Sequence, residues 1–148
     1  MKPELFWSHV DKSGKCWLWT GSSQASRGTP YGRYTWKEGD QIFTRLAHRV
    51  AYVLSGRWLS SSLTVDHVKS AGCSSTLCCR PDHLEAVPLR VNVLRGSGPT
   101  AVNAAKTRCQ SGHDLSETAR LEGSSRRCRI CKAAYDAGRH RSRKVIPA

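Results

Sequence analysis

The chain has 148 residues, 39% hydrophobic and 24% charged, so we expect a folded protein with one domain of ordinary size, or one domain and a small appendage, around a modest core. No apolar run approaches the roughly 18 residues of a membrane span, and the opening MKPELFWSHV lacks a secretory signal, so we expect no membrane association and a cytoplasmic location. In a reducing compartment, seven cysteines and six histidines favour metal binding over disulfides.

The net charge of +13 predicts a polyanionic partner, and this charge is uneven along the chain. Residues 1–89 carry 11 basic and 7 acidic side chains, a net of +4, whereas residues 90–148 carry 13 and 4, a net of +9. The last third is therefore the candidate nucleic-acid contact. The alternative is a basic surface that is merely solvated.

The first half of the chain has the pattern of a β-hairpin followed by a helix. Residues 21–30 are rich in Ser and Gly and predict a loop. YGRYTW (31–36) and QIFTRL (41–46) have strand composition, and KEGD between them supplies a turn. In AHRVAYVLSG (47–56), the apolar spacing predicts a short helix with one buried face, and we expect His48 to be packed there and not catalytic.

Two further strands and a helix follow. LTVDHV (63–68) and HLEAV (83–87) read as short strands on either side of a cysteine-rich loop. PLRVNVLRG (88–96) predicts a helix, because a proline stands near its start and a glycine past its end. Residues 97–107 have the composition of a linker.

Four cysteines and histidines in the last third are spaced as the ligands of one tetrahedral zinc ion. Cys109-x3-His113 is followed after 14 residues by Cys128-x2-Cys131. Two close pairs joined by such a loop can enclose zinc, and the metal would replace a missing hydrophobic core. All four ligands are protein side chains, which leaves no position open for chemistry. Free thiols beside an incidental histidine are the alternative.

A second set begins with Cys73-x4-Cys78-x4-His83, which offers three ligands where a tetrahedral site needs four. Cys79 is next to Cys78, and neighbouring residues in an extended loop point in opposite directions. We therefore assign Cys16 as the fourth ligand of another structural zinc, which would tie the N-terminal segment to the loop. The predicted organisation is one domain over residues 1–97, then a linker, a second zinc-binding module and a basic tail over residues 98–148.

Asp66 and His67, at the end of a predicted strand, belong to neither set. Alone they would be a turn residue and a hydrogen-bonded histidine. In a basic protein, however, a carboxylate that can hold Mg²⁺ beside an imidazole that can deprotonate water suits metal-assisted phosphodiester cleavage. Asn92, on the helix after the second strand, offers the further hard ligand that such a site needs.

This pattern resembles the HNH motif of the ββα-metal (His-Me finger) nucleases, in particular the His-Cys box homing endonucleases and the related phage proteins. In those proteins the general-base histidine precedes C-x4-C-x4-H, and a metal-binding asparagine follows nine residues later, as Asn92 follows His83 here. The phage proteins also have the features CWLWTG, YGR and AHRVAY, found here at 16–21, 31–33 and 47–52, so the resemblance covers most of residues 16–131. Two departures are Arg80, where Asn is usual, and Val91, where an acidic residue often stands.

The resemblance implies an α+β fold: a small ββα-metal core with an N-terminal β-hairpin and helix, stabilised by two structural zinc sites. It also implies an endonuclease acting on double-stranded DNA, in which His67 activates water and Asp66 and Asn92 hold a catalytic Mg²⁺ or Mn²⁺. One catalytic set per chain suits a nicking monomer or a homodimer that cuts both strands. A phage-encoded protein of this kind would act in the cytoplasm of a bacterial host, in homing or in DNA packaging.

Several basic residues are candidates for contact with DNA. The alternative for each is a surface side chain paired with solvent. A non-catalytic, zinc-stabilised DNA-binding protein and a zinc-dependent protein-interaction module are the rival functions. The retention of Asp66, His67 and Asn92 disfavours the first rival, and the charge asymmetry disfavours the second. The candidate contacts are Arg45, Arg49 and Arg95 near the reactive residues, and Lys106, Arg126, Arg127 and Arg129 in the basic last third.

Overall fold

The structure is a computed structural model that describes residues 1–26, 28–123 and 125–144, with side chains up to residue 140. It is an α+β fold in which short antiparallel sheets alternate with helices, so the predicted fold class is confirmed at that level. The chain divides into two compact units, Met1–Asn92 and Val93–Ala148. No helix in the described part of the chain is long and apolar enough to cross a membrane.

The first unit begins with a short helix and continues through three small antiparallel sheets. β1 pairs with β2, β3, β4 and β5 form the three-stranded sheet, and β6 pairs with β7. The helix α2 packs against both of the later sheets. The elements are α1 (Pro3–Trp7), β1 (Val10–Asp11), β2 (Leu18–Trp19), β3 (Ser23–Ser26), β4 (Thr29–Glu38), β5 (Gln41–Leu46), α2 (Ala47–Leu54), β6 (Leu63–His67), β7 (Leu84–Pro88) and α3 (Leu89–Arg95).

The predicted hairpin is confirmed, with β4 and β5 in register from Arg33↔Leu46 to Glu38↔Gln41. Gly39 supplies the positive φ, 58°, that the tight turn requires. The loop predicted over 21–30 is wrong in part, because β3 pairs with the start of β4. All four residues of β3 are exposed, so this strand is held by backbone pairing and has no apolar alternation in its sequence.

Aromatic side chains form the centre of the first unit's core. Phe6 is fully buried and stacks on Trp19 at 5.2 Å between ring centroids, while Tyr34 meets the Phe6 ring edge-on at 5.1 Å. The Trp19 indole donates from Nε1 to the Ser22 carbonyl at 2.9 Å. A Cβ at Gly32 would lie 2.5 Å from Trp19 Cδ1, so the strand approaches this ring as closely as only glycine permits.

The helix predicted from residue 47 is confirmed as α2. Ala47, Val50 and Ala51 are buried, and Leu54 packs partly buried against the same core. His48 is also buried, with 4% of its surface exposed, as expected for a packed histidine.

The two predicted strands flanking the cysteine-rich loop are β6 and β7, which pair antiparallel with Asp66 opposite Glu85 and His67 opposite Leu84. The helix α3 follows β7 directly, so the predicted strand, loop, strand and helix order is confirmed. The identity of this core as a ββα-metal core stays a prediction.

The second unit contains a helix where a linker was predicted over residues 97–107. That prediction is wrong, because α4 (Pro99–Ala105) begins with Pro99 in its first turn and buries Ala101. Proline at a helix start and alanine within it both favour a helix, although the segment lacks a long apolar stripe. The remaining elements are α5 (Leu115–Thr118), the paired strands β8 (Ala119–Glu122) and β9 (Ser125–Cys128), and α6 (Arg129–Lys144).

Candidate functional site

The first cysteine/histidine cluster consists of the four side chains predicted from spacing, Cys16, Cys73, Cys78 and His83. Each offers one ligand atom, and these atoms all lie within 4.8 Å of one another. Nδ1 of His83 is 3.6 Å from Sγ of Cys16 and 3.6 Å from Sγ of Cys78. Ligand atoms around a tetrahedral zinc with bonds of about 2.0 to 2.3 Å are separated by about 3.5 to 3.8 Å. The cluster therefore has the size and chemistry to hold such an ion.

Backbone hydrogen bonds bring these ligands together from distant parts of the chain. The amide of Cys79 donates to the Trp17 carbonyl at 2.7 Å, and the Trp19 amide donates to Leu77 at 2.9 Å. The segment after Cys16 therefore runs beside the segment that carries Cys78. His83 lies in a 3-10 turn just before β7. The N-terminal segment is thus tied to the loop, as the assignment of Cys16 required.

The thiols of this cluster differ widely in pKa. Burial disfavours the Cys16 thiolate, but hydrogen bonds from the Ser74 backbone and hydroxyl, together with those of His83 and Cys78, lower the pKa of Cys16 to about 6. Burial raises the pKa of the Cys78 thiol to about 12. A cation is what would compensate several thiolates held in so small a volume, so ion binding would displace protons from them.

Cys79 lies outside this cluster. Its side chain is fully buried and belongs to the hydrophobic core. Burial raises the pKa of this thiol to about 12. A protonated, inaccessible thiol behaves as a small apolar side chain, so Cys79 has a packing role in the structure.

The second cluster consists of Cys109, His113, Cys128 and Cys131, again within 4.8 Å of one another. Nδ1 of His113 lies 3.4 Å from Cys109 Sγ, 3.7 Å from Cys128 Sγ and 3.3 Å from Cys131 Sγ. Gly112, with φ of 83°, closes the turn that places Cys109 beside His113. This cluster also suits a four-coordinate ion.

The other two ligands of the second cluster come from the junction of β9 and α6. Cys128 ends the strand and Cys131 lies in the first turn of the helix. A backbone hydrogen bond from Cys131 is the main cause that lowers the pKa of Cys128 to about 6. The helix start therefore favours a thiolate, which is the form that binds metal.

His67, at the end of β6, is bound to the first cluster through the main chain. Its Nε2 lies 3.1 Å from the carbonyl oxygen of Cys78. A carbonyl only accepts, so Nε2 carries the proton, and in the neutral ring Nδ1 has the free lone pair. Burial lowers the pKa of His67, opposed by this hydrogen bond and by Asp66. The His67 ring therefore stays neutral down to a lower pH than an exposed histidine would.

His48 packs against this imidazole from α2. The two ring centroids are 4.7 Å apart at an interplanar angle of 58°, and the Tyr31 ring lies 6.0 Å from His48. Burial, then the nearby His67 and Arg49, lower the pKa of His48 to about 3. No pattern in the sequence predicts this contact between His48 and His67, because it joins residues 19 positions apart on different elements.

Asp66 and Asn92 are both half-buried, on β6 and α3 respectively. Among the described His, Cys, Asp and Glu side chains, the groups of three or more that could hold an ion are the two cysteine/histidine clusters, and Asp66 belongs to neither. An ion at Asp66 would thus rely on oxygens from Asn92, water or a bound phosphate. The oxygen chemistry of this pair fits Mg²⁺, and its role as a ligand pair stays a prediction.

The predicted DNA contacts differ in what they bind within the protein. Arg45 and Lys106 are exposed, whereas Arg49 is half-buried with Nη1 3.5 Å from the Leu63 carbonyl. Three arginines of the second unit have protein partners: Arg126 donates to the carbonyls of Asn103 and Lys106, Arg127 pairs with Glu122 at 3.4 Å, and Arg129 donates to the Glu117 carbonyl at 3.0 Å.

Arg95 lies on the surface near the end of α3. Contact of any of these side chains with DNA stays a prediction.

Arg80, one of the departures from the HNH pattern, donates from Nη1 to the Lys15 carbonyl at 3.0 Å. It therefore helps to hold the N-terminal segment against the cysteine-rich loop, which is a structural role.

Comparisons of this chain with protein-family models, with curated proteins and with solved structures found no match. The chemistry of the chain must therefore be inferred from its own residues. The two clusters of three cysteines and one histidine, and the oriented imidazole of His67, are the features from which that inference starts.

Proposed function

We propose that the chain is a metal-dependent DNA endonuclease of the HNH type, held together by two structural zinc ions. The observation that carries this proposal is the hydrogen bond from His67 Nε2 to the Cys78 carbonyl. It supports a role as general base, because it fixes the neutral tautomer and leaves Nδ1 as the proton acceptor. Asp66, a carboxylate suited to a divalent cation, is the preceding residue.

The structural role of zinc is supported by the ligand chemistry. Each cluster supplies three cysteines and one histidine, a combination that favours zinc and completes its tetrahedral shell. Both clusters join segments that are distant in sequence: the first joins Cys16 to the loop that begins at Cys73, and the second joins the turn after Cys109 to the start of α6. The zinc ions would therefore stabilise the fold and leave the reaction to the residues around His67.

The residues around His67 would divide the work of phosphodiester hydrolysis. His67 Nδ1 would accept the proton of the attacking water, while the Cys78 carbonyl holds the ring in place. A Mg²⁺ or Mn²⁺ ion at Asp66 and Asn92 would neutralise charge at the scissile phosphate and the leaving oxygen. Arg49, held beside β6 by the Leu63 carbonyl, is suited to bind a phosphate oxygen of the substrate strand.

The charge distribution supports double-stranded DNA as the substrate. Residues 90–148 carry a net +9, and basic side chains on a protein surface bind the phosphate backbone with little dependence on base sequence. The arginines held by Glu122 and by main-chain carbonyls are pre-oriented, which lowers the entropy lost when they bind phosphate. Binding of the full chain to DNA should accordingly weaken steeply as salt is raised.

A plasmid-nicking assay tests the proposal. Wild-type protein should convert supercoiled plasmid to nicked or linear DNA when Mg²⁺ or Mn²⁺ is added, and His67→Ala should lose at least about 100-fold of that rate. His9→Ala, which removes another histidine of the same unit from an exposed position, should cut as the wild type does. DNA binding without cleavage across these ions would overturn the enzyme and favour a zinc-stabilised DNA-binding protein.

The products and the assembly state refine the proposal. A monomer with one reactive histidine should release nicked circles first, whereas a homodimer should give linear DNA without that delay. Sedimentation of the protein with and without a DNA duplex measures the assembly directly.

A further inference from the structure

We propose that His48 is a positioning residue for His67: its ring forms a wall that keeps the imidazole turned so that Nε2 donates to the Cys78 carbonyl. The catalytic consequence rests on the proposed nuclease function. The positioning itself does not, because it concerns one ring orientation that is measurable in the absence of DNA.

The His67 ring needs more than one contact to keep its orientation. The χ2 torsion of histidine is broad and roughly two-fold, so a half-turn of the ring exchanges the places of Nδ1 and Nε2. The hydrogen bond to Cys78 favours one of the two orientations. Residue 67 ends its strand, and the chain then enters the turn Lys69–Ala71, so little regular structure restrains the side chain from that direction.

His48 supplies the second contact from a different element. Its ring centroid lies 4.7 Å from that of His67, and the residue is buried, with 4% of its surface exposed. The helix that carries it packs on β6 and β7, with Ala47 and Ala51 buried beside it. Tyr31 lies near the His48 ring as well, at 6.0 Å between centroids. The position of the His48 ring is therefore set by the packing of the core and does not depend on His67.

Packing, and not a hydrogen bond, is the interaction that His48 offers. Nδ1 of His48 is buried and has no hydrogen-bond partner among the residues that the structure describes. A buried polar atom without a partner costs free energy, so this nitrogen does not explain why the ring is held where it is. The packing contact between the two rings, tilted at 58° with centroids 4.7 Å apart, does. An aromatic ring without nitrogen should then serve at position 48, and a side chain without a ring should not.

The orientation of His67 can be read by NMR from ¹⁵N-labelled, zinc-loaded full-length protein at alkaline pH, where a protonated ring nitrogen is distinguished from an unprotonated one. Wild type should show one His67 tautomer, with the proton on Nε2. His48→Ala should show a mixture of tautomers, and His48→Phe should keep the single tautomer. Val50→Ala, which would open a cavity at a buried position of the same helix, is the matched control and should leave the His67 tautomer unchanged.

A second measurement keeps the proposal testable if His48→Ala fails to fold or to bind zinc. In wild type, a nuclear Overhauser effect should connect ring protons of His48 and His67 because the rings are in contact. Absence of that effect, a single tautomer in folded His48→Ala, or a tautomer mixture in His48→Phe would each overturn the proposal.

Cleavage then separates this inference from the proposed function. In an active nuclease, His48→Ala should lower kcat by about 10- to 100-fold with KM for DNA unchanged, because the base is misplaced while the DNA-binding surface is intact. His48→Phe should recover most of that loss. If wild type does not cut DNA, the nuclease proposal fails, and the NMR measurement alone still decides whether His48 orients His67. A raised KM with unchanged kcat in His48→Ala would contradict the positioning role.

Discussion

The main-chain carbonyl of Cys78 accepts a hydrogen bond from Nε2 of His67 at 3.1 Å, while the Cys78 thiol lies in the first metal-binding cluster. One residue therefore joins the candidate zinc site to the candidate general base. Any change that loosens the loop around Cys78 should also release the His67 ring. A zinc ion in this cluster would then be structural in its ligands but would also affect the proposed reaction.

Removal of zinc should therefore abolish cleavage in a way that Mg²⁺ cannot reverse. After treatment with a strong chelator and dialysis, Mg²⁺ alone should restore less than about 1% of the rate, since a misplaced general base costs about 100-fold or more. Zinc followed by Mg²⁺ should restore the rate if the chain refolds. Restoration by Mg²⁺ alone in zinc-free protein, verified by elemental analysis, would contradict the link between the two sites.

The number of bound zinc ions tests the ligand assignment. Wild type should hold about two per chain, and Cys78→Ser should hold about one, because the cluster would lose a thiolate ligand. Cys79→Ser is the matched control, one residue away, and should still hold about two. Its free energy of unfolding should fall by about 1 to 3 kcal/mol, since a hydroxyl replaces a fully buried thiol in the core. Loss of zinc from the Cys79 variant would show that Cys16 was wrongly assigned.

The second cluster should govern affinity for DNA. Cys131→Ser should release one zinc ion and disrupt the start of α6, which carries Arg129 and follows the strand with Arg126 and Arg127. The dissociation constant for a DNA duplex should then rise about 10-fold or more at moderate salt, with a shallower dependence on salt concentration, because fewer phosphates are neutralised. Fluorescence anisotropy across a salt series measures both. An unchanged salt dependence would place the DNA contact elsewhere in the chain.

The ligand sets could be predicted from the sequence because zinc imposes a fixed number of ligands, and short spacings such as C-x2-C leave few alternatives. The hairpin, α2 and the strands flanking the cysteine-rich loop were predictable because apolar periodicity follows burial. The strand β3 was not, since all four of its residues are exposed and its sequence has no apolar alternation.

Two further features depend on tertiary contacts that leave no local pattern. Residues 97–107 were predicted as a linker from their composition, and the helix α4 within them buries only Ala101. The contact between His48 and His67 arises because α2 packs on β6, and neither residue's neighbours in sequence indicate that packing. Such contacts are the part of a site that spacing rules do not reach.

Gly32→Ala should destabilise the first unit. The new Cβ would lie 2.5 Å from Trp19 Cδ1 and 3.0 Å from the Ala47 side chain. Trp19 cannot yield, because it is stacked on Phe6 and hydrogen-bonded to Ser22. The free energy of unfolding should fall by about 1 to 3 kcal/mol, as measured by chemical denaturation of the zinc-loaded protein.

The control for that substitution is Gly14→Ala, in the same unit. Its new Cβ would be 3.6 Å from the Cys16 carbonyl, an ordinary contact, so the change in free energy should stay within about 0.5 kcal/mol. Equal effects at both positions would mean that the fit around the Trp19 ring is looser than the distances imply.

The buried, neutral state of His48 should make the fold sensitive to acid. Its pKa is about 3 in the folded protein against 6.5 for the ordinary side chain, with burial as the main cause. Between these values the unfolded chain binds a proton that the folded chain does not. The free energy of unfolding therefore falls as the pH is lowered from 6.5, and this group alone contributes a fall of up to about 1.4 kcal/mol per pH unit.

His48→Phe removes this titration and so isolates it. The free energy of unfolding of wild type should decline more steeply than that of the variant between pH 6.5 and pH 5. Protonation of the zinc ligands destabilises both proteins alike and cancels in the difference. Denaturation curves for the two proteins at each pH supply that difference, and parallel pH profiles would mean that His48 gains its proton as readily in the folded state as in the unfolded one. Since the same variant keeps a ring against His67, it separates the acid sensitivity of position 48 from its positioning role.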